Sequence, residues 1–143
     1  MSAHTVRDAR PADAPELARL MAVLDFGTPP DVVAERLERI TGRGERVIVA
    51  ETADEVIGFA VVHVMPVLHR PQPVGRVSTI TVLPEHQGRG IGRALLAEAE
   101  RIARAAGCGL LEVTSNLRLT EAHAFYDRLG FEKTSWRFSK PLT

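Results

Sequence analysis

Val82-Leu83-Pro84-Glu85-His86-Gln87-Gly88-Arg89-Gly90-Ile91-Gly92-Arg93 is the stretch whose reading decides the fold. It joins an apolar run, Val77 to Leu83, to a long amphipathic helix that is expected to begin near Gly88. Pro84 ends the strand because proline has no N–H to give to a ladder. The helix start then breaks the usual rules. Ser, Thr, Asp and Asn are absent from the cap position. Three glycines stand where Ala or Glu would cost less, by up to roughly 1 kcal/mol each. Arg89 and Arg93 lie in or near the first turn, where the helix dipole is already positive. A bound anion resolves all of these conflicts together. Glycines let backbone N–H groups approach it, the helix start attracts it, and the arginines complete its neutralisation.

The nature of the anion is narrowed by what is missing. A Walker loop needs Gly-Lys-Ser/Thr after its glycines, and this chain has none there. A dinucleotide fingerprint needs a glycine in sixth position, where Arg93 stands, although Glu112 falls near the downstream acidic position. Too little chain follows the loop for a two-halved dinucleotide fold. The pattern Gln-x-x-Gly-x-Gly, as Gln87-Gly88-Arg89-Gly90-Ile91-Gly92 directly after Val82-Leu83-Pro84, instead resembles the signature of the GNAT superfamily of acyl-CoA-dependent N-acetyltransferases. In that family the loop holds the pyrophosphate of coenzyme A. The likeness runs over nearly the whole chain.

The 143 residues suit one domain, 1–143, large enough for a core without staples. Hydrophobic residues make up 45% and charged residues 25%, ordinary values for a globular protein. A formal net charge of zero argues against bulk binding to nucleic acid or anionic membrane. The single cysteine, Cys108, excludes an internal disulfide and suits a reducing compartment. With no apolar run long enough to span a bilayer and no signal-like start, the chain reads as cytoplasmic.

In chain order, Thr5–Ala9 is a first strand. Asp13, with Glu16 three residues on, reads as the capping box of a helix bearing Leu17, Leu20, Met21 and Leu24. Asp31 reads as the cap of a second helix carrying Val33, Leu37 and Ile40. Residues 46–51 and 55–64 form a hairpin, with Gly58 marking a bulge or a close approach. Pro66, Pro71 and Pro73 mark an irregular connection to the strand that feeds the loop. Behind the loop, Ile91, Leu95, Leu96, Ala99, Ile102, Ala103 and Ala106 make an apolar stripe that stops at Gly107. Leu110–Thr114 is a further strand, Thr120–Phe131 a short helix ending at glycine, and Trp136–Ser139 a last strand. The fold class is therefore α/β (α+β): a mixed, mostly antiparallel sheet with helices on both faces, in the order β-α-α-β-β-β-α-β-α-β.

Acyl transfer from a thioester to an amine sets three demands. A lysine-like amine is neutral in only about one molecule in a few thousand at pH 7, so a base must help. The carbonyl oxygen gains charge and needs a donor. The leaving thiolate needs a proton, and tyrosine keeps its own at pH 7. By resemblance, Tyr126, the only tyrosine, holds the place of the family's general acid. Glu112 is the best single base, since some relatives use a Glu in the matching strand; water relayed through Ser78 or Thr79 is the other possibility. Many relatives carry an acidic residue where this chain has Ser78 or Thr79.

The resemblance further implies that the main chain of Ile80, Thr81 and Val82 bonds the pantetheine arm like an added strand. Gln87, Gly88, Arg89, Gly90, Ile91, Gly92 and Arg93 then hold the pyrophosphate, with Phe125, Tyr126 and Asn116 nearby. Relatives often place an Asn seven residues before the tyrosine. Here that position is Leu119, and Asn116 lies ten before. Asp25, Phe26, Ser78 and His63 are candidates to touch substrate, and Arg118 and His123 to face an anionic one. His63 and His69 lack a zinc spacing, and no metal is expected.

The text around Thr114-Ser115-Asn116, Ala122-His123 and Phe125-Tyr126 looks most like the branch that acetylates small amines, such as aminoalkylphosphonates or aminoglycosides. The leading expectation is thus transfer of acetyl from acetyl-CoA to a primary amine of a small molecule through a ternary complex. Acetylation of a protein lysine or N-terminal amine is the alternative enzyme. A non-catalytic acyl-CoA-binding module is the alternative outside enzymes. A homodimer is common among relatives.

Overall fold

The structure is a computed structural model that describes residues 4–114, 120–135 and 137–143, with Thr120 and Glu121 described by their helical backbone alone. Among the described residues, five strands form one sheet in sequence order: β1 (Thr5–Asp8), β2 (Arg46–Thr52), β3 (Glu55–Met65), β4 (Val74–Val82) and β5 (Leu110–Val113). The first three pairings are antiparallel and β4–β5 is parallel. Helices α1 (Ala14–Val23) and α2 (Pro30–Gly42) join β1 to β2, α3 (Ile91–Ala105) is the crossover from β4 to β5, and α4 (Thr120–Arg128) follows β5.

Helices cover both faces, which explains why β2 and β3 are continuous apolar runs rather than alternating ones. Val47, Ile48, Val49 and Ala50 are all buried, as are Phe59, Ala60, Val61 and Val62. Gly58 shows why one strand position must be small. A Cβ there would meet the Thr81 carbonyl oxygen at 3.0 Å and Leu95 of α3 at 3.3 Å. The stripe on α3 buries Ile91, Leu95, Leu96, Ala99, Ile102 and Ala103, whereas Ala106 is exposed beyond the last helical turn. The β2–β3 hairpin turns on Ala53 and Asp54, both with positive φ (48° and 63°), the backbone of a tight two-residue turn matched to strand twist.

Three expectations need correction. Neither Asp13 nor Asp31 caps its helix through its side chain. The Asp13 carboxylate is taken by Arg7, with Nη1–Oδ2 and Nη2–Oδ1 both 2.9 Å, and accepts the Arg10 N–H at 2.7 Å. Glu16 reaches away as well, accepting the Val56 N–H at 2.6 Å and so pinning α1 to the hairpin. On α2 the helix begins at Pro30, whose fixed φ suits a first position, and this leaves Asp31 inside the first turn. Finally, the last strand is not seen: Arg137, Phe138 and Ser139 lie outside any ladder, and Trp136 is outside the described residues.

Asp13 is 5% exposed, and the Arg7 guanidinium holds its carboxyl below the ordinary aspartate range against the opposing cost of burial. Arg7 also donates to Glu51 of β2 at 3.0 Å, so one guanidinium ties β1, β2 and the approach to α1. Asp13→Asn is expected to lower stability by about 1–3 kcal/mol. Because the folded-state value is depressed, this stabilisation is present above about pH 4 and is lost as pH falls below it. Urea midpoints of wild type and Asp13→Asn should therefore differ at pH 7 and converge in acid.

Candidate active site

Between β4 and α3 the chain makes a single 3-10 turn at Pro84–His86 and then passes through Gly88 and Gly90, with φ of +79° and +80°. A Cβ at either glycine would meet nothing within 4 Å. Handedness of the backbone, rather than lack of room, is therefore what calls for glycine there. The helix starts at Ile91, later than the sequence suggested, and Ala94 N–H donates to the Gly90 carbonyl at 3.0 Å. The N–H groups of Ile91, Gly92 and Arg93 thus have no acceptor inside the helix and point out of its first turn. Gln87 anchors the loop from behind, donating to the Val82 carbonyl at 3.2 Å. Arg89 and Arg93 are exposed beside it.

Gly92 has a different duty. A Cβ there would stand 3.3 Å from Cζ of Phe125, so α4 rests its aromatic ring directly on the first turn of α3. Tyr126 follows, half-buried. Its ring lies 5.6 Å from that of Phe125 and 5.8 Å from that of Phe131. Burial pushes its hydroxyl above the ordinary tyrosine range, so the proton stays in place through neutral pH.

The strand leading into the loop has one free edge. β5 pairs with β4 only from Val74 to Val77, while β3 accompanies β4 all the way to Val82. Among the described residues, no strand flanks Ile80, Thr81 and Val82 on the β5 side. The ladder is also irregular: Val61 pairs with Thr79 and Val62 with Val77, so Ser78 is an extra, bulged residue. Its hydroxyl lies 2.6 Å from Nε2 of His63, and Nδ1 of His63 lies 2.9 Å from Oε1 of Glu45.

Next to the bulge, a pocket of about 530 Å³ is lined by Met21, Leu24, Asp25, Phe26, Gly27, Thr28, Arg36 and Thr79. The α1–α2 turn thus brings Asp25 and Phe26 opposite β4. Asp25 has a φ of +63°, a strained conformation for a non-glycine residue, and Phe26 is 64% exposed. Glu112 of β5 is paired with Arg76 of β4 at 3.1 Å. Asn116, Arg118 and Leu119 lie outside the described residues. Cys108 is pushed up by burial, which suits a packed thiol and not a nucleophile. Sequence reading missed Glu45 and Arg36, since only tertiary folding brings either to this place.

Among the described residues, a strand edge without a neighbour thus runs into a left-handed glycine loop and a helix start whose N–H groups and two exposed arginines suit an anion. Residues 15–131 match the acetyltransferase (GNAT) family, and the chain belongs to that family of acyl-CoA-dependent N-acetyltransferases. It is 37% identical over 137 residues to aminoglycoside N(6')-acetyltransferase type 1 of Stenotrophomonas maltophilia, covering 93% of this chain and 89% of that one. It is 40% identical over 88 residues to aminoalkylphosphonate N-acetyltransferase of Salmonella typhimurium; that match spans 62% of this chain and little more than half, 57%, of the relative. The fold superposes with a TM-score of 0.87 on the aminoglycoside N-acetyltransferase AAC(6')-Iy in complex with CoA, at 23% identity, over 100% of this chain and 97% of that one. No helix among the described residues is long and apolar enough to cross a membrane.

Gly90→Ala should lower stability by about 1 kcal/mol through backbone strain alone, since its methyl group meets nothing. A denaturant melt checks this, and a near-zero effect would mean that the loop has no fixed handedness.

Proposed function

We propose that this chain transfers an acetyl group from acetyl-CoA to a primary amine of a small molecule, by direct attack within a ternary complex. The observation that carries the reading is the junction of β4 and α3. The unpaired edge of Ile80–Val82 offers main-chain donors and acceptors to an amide-bearing arm. The loop that follows offers the N–H groups of residues 91–93, the helix dipole, Arg89 and Arg93 to a diphosphate. Gly88 and Gly90 give that loop its backbone handedness. The small-molecule class of acceptor is supported by the two relatives, whose names specify an aminoglycoside and an aminoalkylphosphonate.

In this reading the amine enters from the pocket bordered by Asp25, Phe26 and Thr79. Its nitrogen attacks the thioester carbon as the C–N bond forms and the C–S bond breaks. Tyr126 gives its proton to the departing sulfur, a role that suits a hydroxyl kept protonated by burial. Glu112 is already engaged by Arg76, which ties up one lone pair of the carboxylate that would have to accept a proton.

Titration calorimetry with coenzyme A should show binding at micromolar to millimolar concentration that weakens with salt, as expected when arginines face a diphosphate. A thiol-release assay across a panel of aminoglycosides, aminoalkylphosphonates and lysine peptides should reveal turnover on small amines. No binding of coenzyme A at millimolar concentration would remove the enzyme reading; turnover on the peptides alone would move the acceptor to a protein amine. Tyr126→Phe should retain coenzyme A affinity and lower kcat roughly 10²-fold or more. Glu112→Gln should leave the dependence of kcat/KM on pH in place; a lost limb would make Glu112 the base.

A further inference from the structure

We propose that Glu45, His63 and Ser78 form the proton relay that deprotonates the incoming amine, a reading that rests on the acetyl-transfer function above. The three residues come from separate segments: the α2–β2 connection, β3 and the bulge of β4. They nevertheless line up in one hydrogen-bonded row. Glu45 Oε1 lies 2.9 Å from His63 Nδ1, and His63 Nε2 lies 2.6 Å from Ser78 Oγ.

The carboxylate accepts only, so it fixes the neutral imidazole with its proton on Nδ1 and its lone pair on Nε2. Nε2 then accepts the Ser78 O–H. When the ring takes up a proton, Nε2 becomes a donor to the serine oxygen and neither contact has to break. The row can therefore hold one extra proton without moving a heavy atom; only the serine hydroxyl hydrogen turns away. A polar row with no task would be poorly placed here. Ser78 exists as an extra residue in the ladder and is exposed, and Thr79 beside it already lines the acceptor pocket. His63 shares that face of the sheet: its cross-strand partner is Arg76, and Thr79 pairs with Val61, two positions away on the same side.

The proton balance closes. An ammonium substrate gives one proton to Ser78 Oγ while the serine proton passes to His63 Nε2. The free amine then attacks the thioester carbon, the C–N bond forms and the C–S bond breaks. The second amine proton replaces the one that Tyr126 gives to sulfur, and His63 returns its own to solvent. Ser78 touches the amine, His63 takes its proton through the serine, and Glu45 positions the ring. The charged groups at His63 are Glu45, bonded to it, and Arg76, its cross-strand partner, with Glu112 bonded to Arg76; Asp25 and Arg36 line the pocket that Thr79 also lines.

The test compares wild type, His63→Gln, Ser78→Ala, Ser78→Thr and Glu45→Gln in the thiol-release assay from pH 6 to 10, with the best amine of the panel. Coenzyme A affinity by calorimetry serves as the check on folding. His63→Gln and Ser78→Ala should lose roughly 10²-fold in kcat/KM near neutral pH. The deficit should close as pH rises toward the amine's own pKa, where free amine no longer needs help. Ser78→Thr, which keeps the hydroxyl, should recover most of the rate. Glu45→Gln, whose amide can donate to Nδ1 and so reverse the ring's tautomer, should lower kcat/KM near neutral pH and leave coenzyme A affinity unchanged. Variants that match wild type, or that lag by the same factor at every pH, would overturn the relay while leaving acetyl transfer intact. A wild type that binds coenzyme A and acetylates no amine would overturn both.

Discussion

Among the described residues, strand β4 has neighbours on both edges for four residues only, Val74 to Val77, and the rest of the molecule is arranged around that short reach. Backbone N–H and C=O groups that leave a ladder near a protein interior must find other partners. Here the parting of β4 and β5 is stabilised from outside the pair. β3 stays with β4 to Val82, Gln87 holds the Val82 carbonyl, and α3 buries six apolar side chains against the sheet behind. Each of these is a local interaction of modest strength. Together they leave, among the described residues, an open edge that runs straight into a helix start.

The two faces of the sheet divide the labour. The α3 face is apolar and close-packed, with Gly58 admitting Leu95 almost onto the backbone. The opposite face changes from apolar under α1 to polar past Val61, where His63, Arg76 and Glu112 stand in cross-strand or bonded succession. The Nε of Arg76 is buried there without a hydrogen-bond partner among the described residues. This row shares its face of the sheet with Thr79, which lines the pocket.

The sequence carried the loop because three glycines and two arginines violate helix-start rules at one place, and no other pattern explains them together. It carried α3 because one side of a long helix repeats every three to four residues. It misjudged the caps because Asp13 and Glu16 fit the local rule, yet Arg7 of β1 and the Val56 N–H of β3 compete for the same carboxylates and win. Ion pairs between segments leave no trace in spacing. The bulge at Ser78 and its link through His63 to Glu45 were illegible for the same reason, even though Ser78 and His63 were each candidates. The stretch after α4 is a further case: Arg137, Phe138 and Ser139 belong to a run with the residue types of a strand yet lie outside any ladder, because a strand needs an edge to join and residue type does not supply one.

Gly92 ties two tasks to a single hydrogen atom. The absence of a methyl group lets Phe125 settle on the first turn of α3, and Tyr126 is the next residue along. The turn that would grip the donor is therefore also the seat of the helix that would finish the reaction. Retuning this protein for a bulkier donor by altering the loop alone would tilt α4 and misaim its phenol. Positions 92 and 125 form a matched pair that protein engineers would have to vary in concert, much as a hinge and its pin are cut to one gauge.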